Sequence, residues 1–193
     1  MMKNIFAIAI LIAAGVAIGA QARPELKTVA SVDLNKYAGK WYEIAKYPNK
    51  FQKQCVGNTT ATYSLKPNGK IEVLNECLTK DGTVDAAKGE AKIADTATNA
   101  KLKVRFAPKF ISFLPMVWGD YWIMDLEPNY DYVVIGEPKR EYFWVLSRKP
   151  EMDDATFQAI LRRAEEQGFN PAKVERSRQG VETIKGGVIN RPN

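Results

Sequence analysis

Histidine is absent from this chain, and cysteine occurs only twice. Without imidazole there is no histidine-based nucleophilic triad and none of the usual zinc ligand sets. Haem ligation would fall to Tyr, Met or Cys, and no spacing recommends one of them. The residues offer no catalytic set, no metal site and no cofactor site. Long apolar runs are also scarce. The one at residues 5–18 is too short to span a bilayer comfortably. Lys3 precedes it, Ala20-Gln21-Ala22 follows it, and the sequence then turns polar. This pattern predicts a secretory signal over 1–22, with the mature chain starting near Arg23. No cysteine stands at the cut, which argues against a lipid-modified N-terminus.

Export places the two cysteines in an oxidising compartment, where Cys55 and Cys77 are expected to pair. The formal charge is +6, or +5 once Lys3 leaves with the leader. That modest excess permits attraction to anionic lipid. It does not suggest nucleic-acid binding, because the basic residues are spread along the chain and the aromatics sit inside strand patterns.

Between residues 40 and 149 the sequence reads as short β-runs separated by turn signals. The predicted strands are 41–47, 59–65, 71–79, 87–93, 101–107, 121–126, 132–136 and 142–146. Pro48-Asn49, the Pro67-Asn68-Gly69 turn and Asp81-Gly82 supply breaks, with glycine where positive φ is wanted. Eight such runs without intervening helices predict an all-β fold, an antiparallel up-and-down meander in a sandwich or barrel. The period then changes. Phe157, Ile160, Leu161 and Ala164 follow helical spacing, with Asp153 and Asp154 before them and Gly168 and Pro171 after. One amphipathic helix is therefore expected on the outside of the strands. The expected organisation is a leader over 1–22, an arm over 23–32, the barrel and helix over 33–173, and a polar basic tail over 174–193 that frays.

Three motifs carry a family resemblance. Gly39-Lys40-Trp41 opens the first strand, and Asn129-Tyr130-Asp131-Tyr132 precedes the seventh. Ser147-Arg148-Lys149 closes the eighth. Taken in this order, with the helix after them, they resemble the lipocalin signature. The likeness is greatest to bacterial outer-membrane lipocalins and the animal apolipoprotein D. The second motif departs from its commonest form in having Asn where Thr is usual. The resemblance implies an eight-stranded barrel with one small ligand inside, and a place in the periplasm, at the outer membrane or outside the cell.

In a closed meander the eighth strand pairs with the first, which brings Arg148 beside Trp41. Gly39, Trp41 and Arg148 are then expected to plug one end as structural residues. Their cation–π contact would be worth ~0.5–2 kcal/mol. The resemblance assigns Tyr63, Asn75, Tyr121 and Trp144 to the pocket wall. Strand parity adds Val73, Tyr142 and Leu146, and Val104 if the apolar face of its strand is the inner one. Aromatic and aliphatic walls of this kind suit an acyl chain, while tyrosine hydroxyls and the Asn75 amide suit a polar head. The opposite end carries an unusually apolar loop with Phe110, Phe113 and Trp118. It reads as a lid, a homodimer contact or a surface that touches a membrane.

The resulting expectation is a non-enzymatic carrier of fatty acids or lysophospholipids. Two other readings stay open. One is a lipocalin-type enzyme using a pocket thiol, since Cys77 shares parity with Asn75. The other is an interaction protein that works through the apolar loop.

Overall fold

A computed structural model describes residues 24–184 and 187–189. The predicted leader, residues 1–22, lies outside the described residues. The arm at 24–32 crosses the lower end of the molecule, where the Val29 and Val32 amides donate to the carbonyls of Ile123 and Thr98. A single helical turn follows, α1 (Leu34–Tyr37), capped by the Asp33 carboxylate, which accepts from the Asn35 and Lys36 amides.

Eight strands then form the barrel: β1 (Gly39–Lys46), β2 (Cys55–Leu65), β3 (Ile71–Thr79), β4 (Val84–Ile93), β5 (Lys101–Arg105), β6 (Gly119–Leu126), β7 (Tyr132–Gly136) and β8 (Phe143–Ser147). Each pairs antiparallel with the next, and β1 pairs with both β2 and β8, so the sheet closes on itself. Strand alternation divides the apolar side chains in two. Trp41, Tyr63, Val73, Leu102, Ile123, Ile135 and Leu146 fill the interior. Ile44, Ala45, Met124, Val134, Phe143 and Val145 face outward beneath α2 (Asp154–Glu166), which covers them with Phe157, Ile160 and Ala164. Asp153 caps this helix through the Thr156 amide. Arg163 ties its outer side to Asp125 at 2.7 Å.

All eight predicted strands are present, and the differences concern their ends. β2 starts at Cys55, four residues before the predicted start at 59, because the pairing with β3 continues through register shifts around Gly57 and Asn58; Asn58 takes φ +51°. β4 starts at Val84 because it pairs with the extended end of β3 through Leu78. β5 stops at Arg105, short of residue 107, and β8 starts at Phe143, which leaves Tyr142 on the rim.

The tail departs most from expectation. A ninth strand, β9 (Glu175–Arg176), pairs with Ala45 and Lys46 of β1, and the chain stays docked through Val181. Two further short strands, β10 (Glu182–Ile184) and β11 (Gly187–Ile189), pair with each other. Backbone pairing with β1 and side-chain bonds from Asn58, Ser177 and Gln179 hold the tail, and neither leaves a hydrophobic period in the sequence.

Candidate functional site

The two ends of the barrel are closed differently. At the lower end the guanidinium of Arg148 lies 3.7 Å from the centroid of the Trp41 ring. It also donates to the carbonyls of Lys40 (2.9 Å), Lys36 (2.6 Å), Ala38 (3.0 Å) and Tyr37 (3.2 Å). One cation thus satisfies the carbonyls that the short α1 helix leaves open. Trp41 is completely buried, and its indole N–H donates to the Tyr37 carbonyl at 2.9 Å. Gly39 takes φ +97°, and a Cβ there would stand 3.4 Å from the Arg148 Nη1. The second motif meets the same end, where the Tyr130 hydroxyl accepts from the Asp33 amide at 2.8 Å. The structure thus brings all three motifs to one place.

Above this plug lies the inner wall. Tyr63, Val73 and Leu146 are buried in the interior cluster, and Val104, Tyr121 and Trp144 are half-buried against it. Asn75 is half-buried and in register with inward-facing Ala61. Asn75, Val104, Tyr121 and Trp144 keep part of their surface accessible along this wall. Tyr142 stands at its upper edge, with its ring parallel to that of Trp144 at 5.8 Å. Phe51 extends the stack outward, with its ring 5.8 Å from Tyr142.

The floor beneath this wall is polar. Tyr121 shares hydrogen bonds with the hydroxyls of Tyr37 (2.6 Å) and Tyr63 (2.9 Å). The three phenols thus form one hydrogen-bonded cluster centred on Tyr121. Burial raises all three phenols, Tyr63 to about 12, so none is a phenolate at neutral pH.

A second polar group stands near the top. Glu43 is only 3% exposed and lies in register with Leu146. Its carboxylate accepts from the Ser177 hydroxyl at 2.5 Å and the Gln52 amide at 2.6 Å. Gln52 in turn accepts from the Trp144 indole at 3.2 Å. Burial pushes the carboxyl above its ordinary range, against the two hydrogen bonds and the pull of Lys46. Glu43 and Tyr37 escaped the sequence reading. Glu43 carried a usable signal, an acidic residue two positions after inward-facing Trp41. Tyr37 precedes the first strand and carried none.

The upper loop departs in part from expectation. Phe110 and Phe113 are 79% and 77% exposed, and Met116 is 86% exposed. They do not fold over the opening. Trp118 does not join them. Its indole N–H donates to the Ser112 carbonyl at 2.8 Å, and its ring lies on the outer wall near Lys92 (4.3 Å) and Arg105 (5.1 Å). Apolar composition flagged the loop, but two outward cations on β4 and β5 decide where its tryptophan goes. Nearby, Cys55 and Cys77 are joined by a disulfide with a Cα–Cα distance of 5.6 Å, tying the upper ends of β2 and β3. No described cysteine is free. Open grooves on the outer surface, one beside residues 150–152 and 176–181 and one beside Tyr47 and Arg140, do not include the inner wall.

Comparison with known proteins accords with this architecture. A family model described as a lipocalin-like domain matches residues 32–179. Temperature-induced lipocalin-1 of Arabidopsis thaliana is 38% identical over 159 residues, covering 81% of this chain and 84% of the relative. The outer membrane lipoprotein Blc of Escherichia coli K12 is 34% identical over 146 residues, covering 75% and 78%. Apolipoprotein D of Macaca fascicularis is 40% identical over 131 residues, covering 64% and 65%. Among solved structures, insecticyanin from the tobacco hornworm Manduca sexta superposes with a TM-score of 0.62 at 22% identity, covering 80% of this chain and 85% of that one. The match begins in the arm ahead of the plug and runs through the docked tail, so a single family accounts for the whole barrel, and the chain belongs to the lipocalins.

Proposed function

We propose that this lipocalin binds and carries a fatty acid or a lysophospholipid inside the barrel, as an exported protein of the cell envelope or its surroundings. As a family member it is a binding and transport protein for small hydrophobic ligands. The observation that carries the finer reading is the set of inward residues with accessible surface: Val104, Tyr121 and Trp144 against a buried apolar wall, with Asn75 among them. An acyl chain along this wall gains roughly 25 cal/mol per Å² of apolar surface removed from water. The floor offers neutral phenols, and the Arg148 cation beneath it is already engaged by four carbonyls and the Trp41 ring, so an ionised head left there would be costly. The carboxylate or phosphate head therefore points to the opening, where Lys50 and Lys53 are exposed. Both cysteines are spent in a disulfide, which removes the thiol that an enzymatic reading would use.

The exposed tip at Phe110, Phe113 and Met116 supports contact with a lipid surface during loading. The test of carriage is a titration of the delipidated protein with oleate and then a lysophospholipid, followed by tryptophan fluorescence. Saturation at micromolar ligand is expected, with affinity at least tenfold weaker in Trp144→Ala. A folded, delipidated protein that responds to neither lipid would refute the reading.

A further inference from the structure

β1 and β2 pair only from Gly39 to Tyr42 against Thr60 to Tyr63. Beyond that, bulges on both strands carry them apart, and the C-terminal segment fills the gap. On one bank the Ser177 amide donates to the Ile44 carbonyl at 2.9 Å. On the other, the Asn58 amide donates to the Arg178 carbonyl at 2.8 Å. The Gln179 side-chain amide spans the gap, donating to the main-chain oxygens of Glu43 (2.8 Å) and Thr59 (2.9 Å). Asn58 holds Val181 by two hydrogen bonds, and Val181 fits against Gly57, where an added Cβ would lie 2.6 Å from it.

Besides these bonds this stave is held by the Lys46–Glu175 and Arg176–Asp154 ion pairs and by Arg176 over the Phe157 ring. Both cysteines are used in the bond between β2 and β3, so no disulfide ties it. Each hydrogen bond that holds it contributes only about 1 kcal/mol net, each of its ion pairs has a solvent-exposed partner, and segments held in this way open at a fraction of the global unfolding free energy. Lifting one strand from between two others leaves them roughly 10 Å apart, twice the strand spacing. That is wide enough for an acyl chain. The gap opens beside the pocket, because Glu43, which Ser177 contacts, is linked through Gln52 to Trp144.

We propose that residues 175–181 form a lateral gate through which ligand enters and leaves between β1 and β2, with Glu43 as the positioning residue that couples the gate to Trp144. This rests on the ligand-carrying reading above. A gate sets the barrier to exchange and leaves the bound state unchanged, so its signature is kinetic.

The test uses the full chain, cis-parinaric acid as a fluorescent fatty-acid probe, stopped-flow mixing and amide hydrogen exchange. Gln179→Ala is expected to raise the association and dissociation rates about tenfold each, with Kd changed less than threefold. The Asn58, Ser177 and Val181 amides should exchange faster, while amides around Trp41 stay protected. Ser177→Ala, which keeps the backbone pairing, should show the same pattern at smaller amplitude and serves if the first variant misfolds. Wild-type rates in a variant whose tail amides exchange faster would overturn the gate. So would a loss of affinity at an unchanged association rate. If Trp144→Ala weakens binding while both tail variants keep wild-type rates, carriage stands and the gate falls. If the wild-type protein shows no saturable binding, both fall.

Discussion

At the lower end of the barrel a cation faces four carbonyls and an indole, every partner is fixed, and Trp41 has no exposed surface. At the upper end, phenylalanines face water and the β1–β2 seam is filled by a strand from elsewhere in the chain. A carboxylate is buried there against its own preference for water. The same alternation of side chains builds both ends. They differ in where unsatisfied backbone groups go. Below, one arginine collects them, and above, they are met by residues that can leave. Stability is concentrated where nothing needs to move, and exchange is left to the weaker end.

The sharpest way to break this contrast is at the plug. Trp41→Ala should cost ~3–5 kcal/mol in denaturant unfolding, through the cavity and the loss of the Arg148 stack. Opening the Cys55–Cys77 bond in a double serine variant should cost ~2–4 kcal/mol. Its added hydrogen exchange should concentrate in the upper parts of β2 and β3 and spare the plug.

A smaller effect comes from Glu43, whose pKa is raised in the folded state, so its contribution is largest below the ordinary carboxylate range. That contribution is lost as pH rises through the raised value. The stability of wild type minus that of Glu43→Gln should therefore fall between acidic and neutral pH, as read from Tm at each pH. Taking the difference cancels carboxylates such as Glu90, whose pKa is lowered and whose contribution runs the other way. The smallest effect belongs to the loop. Phe110→Ser with Phe113→Ser should change unfolding free energy by less than about 0.5 kcal/mol, as expected for exposed side chains, while reducing co-sedimentation with anionic vesicles. A destabilisation comparable to that of Trp41→Ala would show that the two ends are one cooperative structure.

How much of this was legible in the sequence follows the same division. The strands and the outer helix were readable because each buries one face, and burial leaves a period. The plug was readable from motif order together with closure, since pairing β8 with β1 fixes where Arg148 falls. The docked tail was not, because its backbone bonds and the Gln179 bridge use residues whose type carries no period. Trp118 was misplaced because composition gives a loop's character but not the direction of its side chains. Tyr142 fell one residue outside its strand, yet its ring remains over Trp144.

The arginine plug also bears on the order in which the chain folds. Its partners lie 108 to 112 residues before it in sequence. The meander from β2 to β7 can form from neighbouring strands, each closing a short loop. Trp41 can pair early with Tyr37 and with β2, but the face that Arg148 covers stays open until synthesis passes residue 148 and a long loop closes. The arginine half of the plug is thus assembled only after seven strands have been made, and a chain halted before Arg148 would leave one face of Trp41 open to whatever apolar surface is nearest.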